Sequence, residues 1–360
     1  MAKILMKGNE AIGKAAMEAG CKYFFGYPIT PQNELPEYMS RELPKNEGVF
    51  VQAESEVSAI NMVYGAAGAG ARVMTSSSSP GIALKQEGIT YIAGAELPCV
   101  IVNIMRGGPG LGGIQPSQAD YFMSTRGGGN GDYRTPVYAP ATVQEAVDMV
   151  QEAFEVADYY RIPVMVVGDG MIGQMMEPVE FNAPKKRDLA PKTWASVGTK
   201  MERKPNIINS LYLDPKALED HCINLEAKYR EIEKNETDYE MYKTEDAEIV
   251  FVAYGTTSRI VKNTIESLRD EGIKAGLIRP KTLWPFPFEA FNQIPQAKNI
   301  LTVEMSMGQM VEDVRLAIEG RLPVHFYGRT GGMIPSPAEI ADKARQIVED
   351  SQEVAMGGAR

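Results

Sequence analysis

The sequence predicts an α/β protein: a doubly wound parallel sheet with a second, smaller α/β unit behind it. Short apolar runs alternate with stretches whose apolar residues recur three and four apart, which is the mark of βαβ units covered on both faces. The alternation stops near residue 183 and resumes near 248, and a chain of 360 residues has room for two such units.

In chain order, the strand candidates of the first unit are YFF at 23–25, VFVQA at 49–53, RVMTS at 72–76, CVIVNIM at 99–105 and PVMVV at 163–167. Helix-like spacing covers Glu56–Gly68, Ile82–Gly94 and Val143–Tyr160. The expected units are therefore a domain over 1–182, a linker over 183–247 and a second domain over 248–360. The linker is rich in lysine and glutamate, and Asp214-Pro215 starts its one helix, lying over the surface. The second domain shows strand runs IVFVAYG, AGLI, NILTVE and VHFYG and closes on an amphipathic helix from Pro337 to Asp350.

Composition narrows the function. Hydrophobic residues at 44% and charged residues at 23% are ordinary for a globular protein, so no disordered or fibrous class applies. A net charge of −10 argues against a nucleic-acid surface, which needs a basic face. The opening MAKILMKGNEAIGK lacks a signal peptide's apolar core, and no run reaches the length of a membrane span, so the expectation is a cytoplasmic protein without membrane contact. Cys21, Cys99 and Cys222 form no CxxC pair, and only His221 and His325 accompany them. That argues against a disulfide framework, an iron–sulfur cluster or a Cys/His metal centre in this chain. Any electrons the reaction moves leave through another polypeptide.

Four segments carry chemistry. In FGYPITPQNE a strand runs into Gly26, and Pro31 suits the first turn of a helix with Thr30 as its N-cap. That reads as a tidy βα turn, or as a ligand site at the carboxyl end of a strand. In QAESEVSAINMVYGAAGAG, Glu56 opens a helix of small residues that can pack closely. Its carboxylate either complements the helix dipole or, partly buried, shares a proton with a ligand nitrogen. Glu54 is its rival. The Ser76–Ser79 run follows a strand and offers hydroxyls to a polar pocket, but no GxSxG elbow surrounds it and neither histidine has an evident serine partner. Arg106 follows a strand in NIMRGGPGLGG, where its fork suits a carboxylate or phosphate unless it is simply a surface arginine.

Gly108–Gly113 formally matches GxGxxG, yet Pro109 interrupts it and IQPSQ rather than a helix follows. A mobile active-site loop, continued by RGGGNGDYR at 126–134, accounts for the glycines better. No GxxxxGK[ST] cradle occurs.

GYPITPQNE, QAESE, TSSSSPG, NIMRGGPG, GDYRT and YGRTGG, in this order along nearly the whole chain, resemble the α subunit of the 2-oxoacid:ferredoxin oxidoreductases. The likeness is greatest to the branched-chain enzymes acting on 3-methyl-2-oxobutanoate, with the 2-oxoglutarate enzymes next. The resemblance implies a sheet of the thiamine diphosphate pyrimidine-binding type and a second domain like the carboxyl-terminal domain of transketolases. It implies thiamine diphosphate shared with a β subunit that binds the diphosphate and Mg2+. It also implies a γ subunit, a ferredoxin-like δ subunit carrying iron–sulfur clusters, and a 2-oxoacid and coenzyme A as substrates. The pyrimidine glutamate falls on Glu56, and Pro28, Ile29 and Thr30 line the cofactor. Thr30, Ser77, Ser78, Ser79 and Arg106 line the substrate pocket, and Arg106 and Thr30 hold the oxoacid. No metal ligand falls on this chain. Gly168-Asp169-Gly170 mimics the start of a diphosphate–magnesium motif, but the asparagine it requires further on is replaced by TWASVGTK, so Asp169 reads as a strand-end residue. YGRTGG reads either as a contact for coenzyme A or a partner, or as a plain turn. Two further functions stay open: a non-oxidative thiamine diphosphate decarboxylase or transketolase-like subunit, and a non-catalytic scaffold.

Overall fold

A computed structural model describes residues 3–183 and 186–357. The first unit runs β1 (Ile4–Lys7), α1 (Gly8–Glu18), β2 (Tyr23–Gly26), α2 (Glu34–Glu42), β3 (Val49–Gln52), α3 (Glu56–Gly68), β4 (Val73–Ser77), α4 (Ser79–Gly94) and β5 (Cys99–Met105). It continues through α5 (Tyr121–Thr125), β6 (Val137–Tyr138), α6 (Val143–Tyr160), β7 (Pro163–Asp169), α7 (Gly170–Gln174) and β8 (Met176–Val179). Its sheet has the order β6-β7-β5-β4-β2-β3, parallel throughout, so the carboxyl ends of β2, β3, β4, β5 and β7 share one edge. Strands β4, β5 and β7 are buried at every residue, as expected of a sheet covered on both faces. Helix α6 starts where the sequence marks it. Thr142 Oγ1 accepts from Glu145 N at 3.0 Å, and Val143, Val147, Val150 and Phe154 turn to the core.

The second unit begins with α8 (Pro215–Asn235) and β9 (Tyr239–Tyr242), followed by β10 (Ile249–Val252), α9 (Gly255–Asp270), β11 (Ala275–Pro280) and β12 (Thr282–Trp284). It closes with β13 (Asn299–Glu304), α10 (Met310–Ile318), β14 (Val324–Gly328) and α11 (Pro337–Gly357). Its sheet has the order β14-β13-β10-β11-β9. Alternate residues of β10 face opposite cores, as a period of two requires. Ile249 and Phe251 pack with Val261 and Ile265 of α9 and Ile340 of α11, whereas Val250 and Val252 join the core of the first unit.

Four details differ from the sequence reading. Helix α2 begins at Glu34, not Pro31, and Thr30 is not its cap: Asn33 holds that position and Thr30 lies in the preceding turn. Helix α4 takes in Ser79, three residues ahead of Ile82, because Pro80 fits a first turn. The charged linker contains β9, whose antiparallel pairing with β11 adds an edge strand to the second sheet. Finally, β12 crosses over and pairs antiparallel with β6, completing a seven-stranded first sheet. Helix α8 starts at Pro215 with Asp214 as its cap. It buries only Leu225, Tyr229 and Ile232, one stripe at helical spacing, and its other faces are charged.

The two units are joined by a buried polar contact centred on Gln118. Its Oε1 accepts from Met305 N at 3.0 Å and Thr257 Oγ1 at 2.7 Å, and its Nε2 donates to Tyr254 O at 2.9 Å. Replacing Gln118 by leucine keeps the volume but orphans the Met305 amide and the Thr257 hydroxyl, so we expect stability to fall by about 3 kcal/mol. Urea denaturation of the purified variant checks this, and a loss below about 1 kcal/mol would mean the contact is not holding the units together.

Candidate functional site

The carboxyl edge of the first sheet gathers the singled-out residues into two adjoining clusters. The first surrounds Glu56. Ser55 Oγ accepts from Ser58 N at 3.2 Å and starts α3 one residue earlier, which puts Glu56 in the first turn with its side chain turned inward. Glu56 is 6% exposed, and among the described residues its carboxylate makes no hydrogen bond. Glu54, the rival, is exposed and takes the Ser58 hydroxyl, so the two carboxylates separate cleanly.

Helix α4 packs on α3 through a stripe of small residues. A Cβ on Gly88 would lie 2.4 Å from Ile60 Cγ2, and one on Gly81 would lie 2.0 Å from Ser77 Oγ and 2.7 Å from Glu56 Oε1. Only glycine permits an approach this close. Lys85 sits one turn from Gly81 on the same stripe, fully buried, with no hydrogen-bond partner for its ammonium among the described residues. Burial lowers its pKa to about 8, while the field of Glu56 opposes the shift.

This has a stability consequence. Below about pH 8 both states carry the proton and the folded state bears the cost of a buried cation. Between that value and the ordinary lysine pKa the unfolded chain holds the extra proton, so stability rises with pH. Lys85→Met should therefore stabilise the protein by about 3 kcal/mol at pH 7, and the advantage should shrink towards pH 10. Denaturation curves at the two pH values test this, and a variant no more stable than wild type at pH 7 would show that the ammonium bears no such cost.

The second cluster surrounds Arg106, which is 6% exposed at the end of β5. Its Nη1 donates to Thr30 O at 2.9 Å and its Nη2 to Leu111 O at 3.0 Å, while Nε has no partner among the described residues. Ser79 ties the clusters together. It accepts from Arg106 N at 2.9 Å, donates to Asp120 Oδ2 at 2.6 Å, and its own amide donates to Asn103 Oδ1 at 3.1 Å. The Ser79 hydroxyl is thus committed to holding the start of α4 against β5, while Ser77 Oγ and Ser78 Oγ are buried without partners among the described residues. Asp120 also accepts from Asn103 Nδ2 at 2.9 Å, and burial keeps its carboxyl above the ordinary value despite these bonds.

Thr30 is exposed, with Pro28 exposed and Ile29 half-buried beside it. The turn is anchored from behind, since Pro31 O accepts from Asn9 Nδ2 at 2.9 Å and Gln174 Nε2 at 3.1 Å. Ser76 donates to the buried Gln32 at 2.5 Å. Asn9, Gln32, Asn103, Asp120 and Gln174 were missed by sequence reasoning, because each acts across a long chain separation that leaves no local pattern.

Asp169 accepts from Met171 N at 2.8 Å and caps α7, in keeping with a strand-end residue. The Gly107–Gln115 loop closes on itself through Gly113 N and Gly107 O at 2.8 Å, and no helix starts directly from it. RGGGNGDYR does not continue that loop. It lies along the later turns of α4, where Thr90 Oγ1 donates to Asn130 O at 2.6 Å and Gly129 packs on Gln86. A cavity of about 600 Å³ lies against α8, bounded by Tyr229, Trp284 and Phe288, and shares no lining residue with either cluster.

The Glu56 cluster fits an aminopyrimidine. An unbonded buried carboxylate can take a proton-bearing ring nitrogen, and the orphaned Ser77 and Ser78 hydroxyls can meet the polar ring edge. The Arg106 cluster offers a forked cation with one N–H uncommitted, suited to a carboxylate. Among the described residues no three His, Cys, Asp or Glu side chains converge as a metal site needs, and no helix is long and apolar enough to cross a membrane.

Comparisons with known proteins point the same way. Residues 14–252 match the family described as pyruvate flavodoxin/ferredoxin oxidoreductase, thiamine diphosphate-binding. Residues 247–340 match pyruvate:ferredoxin oxidoreductase core domain II. The chain is 49% identical over 354 residues to ketoisovalerate oxidoreductase subunit VorB of Methanothermobacter thermautotrophicus, covering 98% of this chain and 100% of that one. It is 37% identical to 2-oxoglutarate synthase subunit KorA of Methanocaldococcus jannaschii, covering 93% and 97% respectively. Among solved structures, 2-oxoglutarate:ferredoxin oxidoreductase from Magnetococcus marinus, with 2-oxoglutarate, coenzyme A and succinyl-CoA bound, superposes with a TM-score of 0.83 at 26% identity. That match covers 96% of this chain but only 65% of that one. A split-gene transketolase at 14% identity and a TM-score of 0.58 shares the fold alone.

Proposed function

The chain belongs to the pyruvate flavodoxin/ferredoxin oxidoreductase family, and on that premise we propose that it is the subunit of a 2-oxoacid:ferredoxin oxidoreductase that holds the pyrimidine half of thiamine diphosphate. The reaction is oxidative decarboxylation of 3-methyl-2-oxobutanoate to its acyl-CoA and carbon dioxide, with the electrons passing to ferredoxin. A β subunit supplies the diphosphate and Mg2+ site, and γ and ferredoxin-like δ subunits complete a cytoplasmic complex that carries the iron–sulfur clusters. Exposed Val57, Leu84, Leu111 and Ile114 around the two clusters support such a partner, since they give this face an apolar rim.

The observation that carries the reading is the buried carboxylate of Glu56, without a hydrogen bond among the described residues, which the start of α4 links to the Arg106 cluster. Thiamine diphosphate, when bound, supplies the electron sink for decarboxylation. Glu56 would hold the proton shared with the pyrimidine ring, its oxygen kept in place by the α3–α4 contact. Pro28, Ile29 and Thr30 would line the ring's approach. Arg106 and Thr30 would orient the oxoacid carboxylate, with Ser77 and Ser78 on the pocket wall and Ser79 behind them setting the Arg106 backbone. The substrate class follows the relatives named for ketoisovalerate.

The test uses the chain with its co-purifying subunits and measures coenzyme A-dependent reduction of a viologen dye. We expect 3-methyl-2-oxobutanoate to be used in preference to 2-oxoglutarate and pyruvate. A preference for 2-oxoglutarate would overturn the substrate assignment. Decarboxylation without dye reduction would overturn the oxidoreductase and favour the non-oxidative enzyme.

A further inference from the structure

The run Tyr327–Gly332 ends the last strand of the second unit, and its final two glycines meet the loop that follows Arg106. A Cβ on Gly332 would lie 2.3 Å from Gln115 Cβ, and one on Gly107 would lie 3.4 Å from the carbonyl carbon of Gly331. Gly331 and Gly332 have φ of +67° and +93°, shapes that favour glycine. A turn that only joined β14 to α11 would not have to meet a loop of the other unit with two glycines so shaped.

The turn is rooted in its own unit. Gly328 pairs with Glu304 of β13, and Arg329 N donates to Glu304 O at 3.2 Å. The Arg329 guanidinium pairs with Glu339, which also accepts from Ser336 N at 2.8 Å at the start of α11. On the other side, Gly107 N donates to Gln115 O at 3.0 Å, Gly113 N closes on Gly107 O, and Leu111 O receives Arg106 Nη2. Gln115 and Arg106 therefore belong to one short hydrogen-bonded loop, braced at Gln115 by the second unit.

We propose that the Gly331–Gly332 turn is a positioning device for Arg106, setting the Gly107–Gln115 loop so that the guanidinium meets the substrate carboxylate. This rests on the reading of Arg106 as the residue that orients the oxoacid, and it gives the second unit a part in substrate binding.

Steady-state kinetics of the co-purified complex carrying Gly332→Ala test it. The added methyl should push Gln115 and raise KM for the 2-oxoacid about tenfold or more, with kcat within about threefold. The dissociation constant of thiamine diphosphate, measured by tryptophan fluorescence on the cofactor-stripped complex, should not change. Adding Gln115→Gly removes the atom that the methyl strikes and should reverse part of the rise in KM, the remainder coming from a side chain held at a φ of +93°. An unchanged KM in Gly332→Ala, no recovery in the double variant, or an equal loss of cofactor affinity would each overturn the proposal. If Gly332→Ala does not fold, Arg329→Gln loosens the root of the turn without a clash. It should raise KM in the same direction, and an unchanged KM there also overturns the proposal. The ratios are read with whichever 2-oxoacid the wild-type complex oxidises, so an unexpected acid corrects the substrate assignment separately.

Discussion

Glu56→Gln should abolish nearly all turnover of the assembled enzyme while leaving the fold intact. Glutamine has the volume of glutamate and the Glu56 carboxylate makes no hydrogen bond among the described residues, so the cost is the lost field on the buried Lys85 ammonium, about 1 kcal/mol of stability at pH 7. The amide cannot take up and return a proton. General acid–base assistance of this kind is worth about 10²–10⁴ in rate, and kcat should fall by at least about 10². Glu54→Gln is the matched control, since that carboxylate is exposed and bonded to Ser58. Single-turnover decarboxylation by the two variants checks both expectations. Equal rates in the two would remove Glu56 from the chemistry and favour a scaffold role for this chain.

Arg106→Lys should be nearly as damaging, but in substrate affinity. The guanidinium spans two carbonyls, Thr30 O and Leu111 O, and keeps Nε uncommitted. An ammonium carries the same charge but cannot reproduce the fork. We expect kcat/KM to fall about 10²-fold, mostly through KM, with about 2 kcal/mol lost in stability as the two carbonyls lose their donor. Substrate titrations at saturating coenzyme A measure the first, and denaturation the second. A variant with normal KM would mean that Arg106 only braces the glycine loop.

Much of this was legible in the sequence because the signals are local. CVIVNIM is a run of apolar and β-branched residues and becomes β5, and the helix over Val143–Tyr160 announces itself by spacing and by the Thr142 cap. The order of the motifs placed Glu56, Ser77, Ser78 and Arg106 after successive strands, and parallel pairing then brings them to one edge. What could not be read is held by distant partners. β12 is three residues between prolines and finds its place only by reaching β6. The Thr30 turn depends on Asn9 and Gln174, which lie far from it on either side in sequence. The choice of Glu56 over Glu54 comes from the family resemblance and not from any local signal, and Ser79 looked free until Asp120 and Asn103 were seen to hold it.

The most direct test of the account is hydrogen–deuterium exchange at the thiazolium carbon of thiamine diphosphate bound to the complex, followed by NMR after rapid quench. Wild-type complex should exchange this proton at least about 10²-fold faster than the Glu56→Gln complex, with the cofactor fully bound in both. Equal exchange rates in the two complexes would contradict the assignment of Glu56, and with it the claim that this chain governs the cofactor's proton transfer.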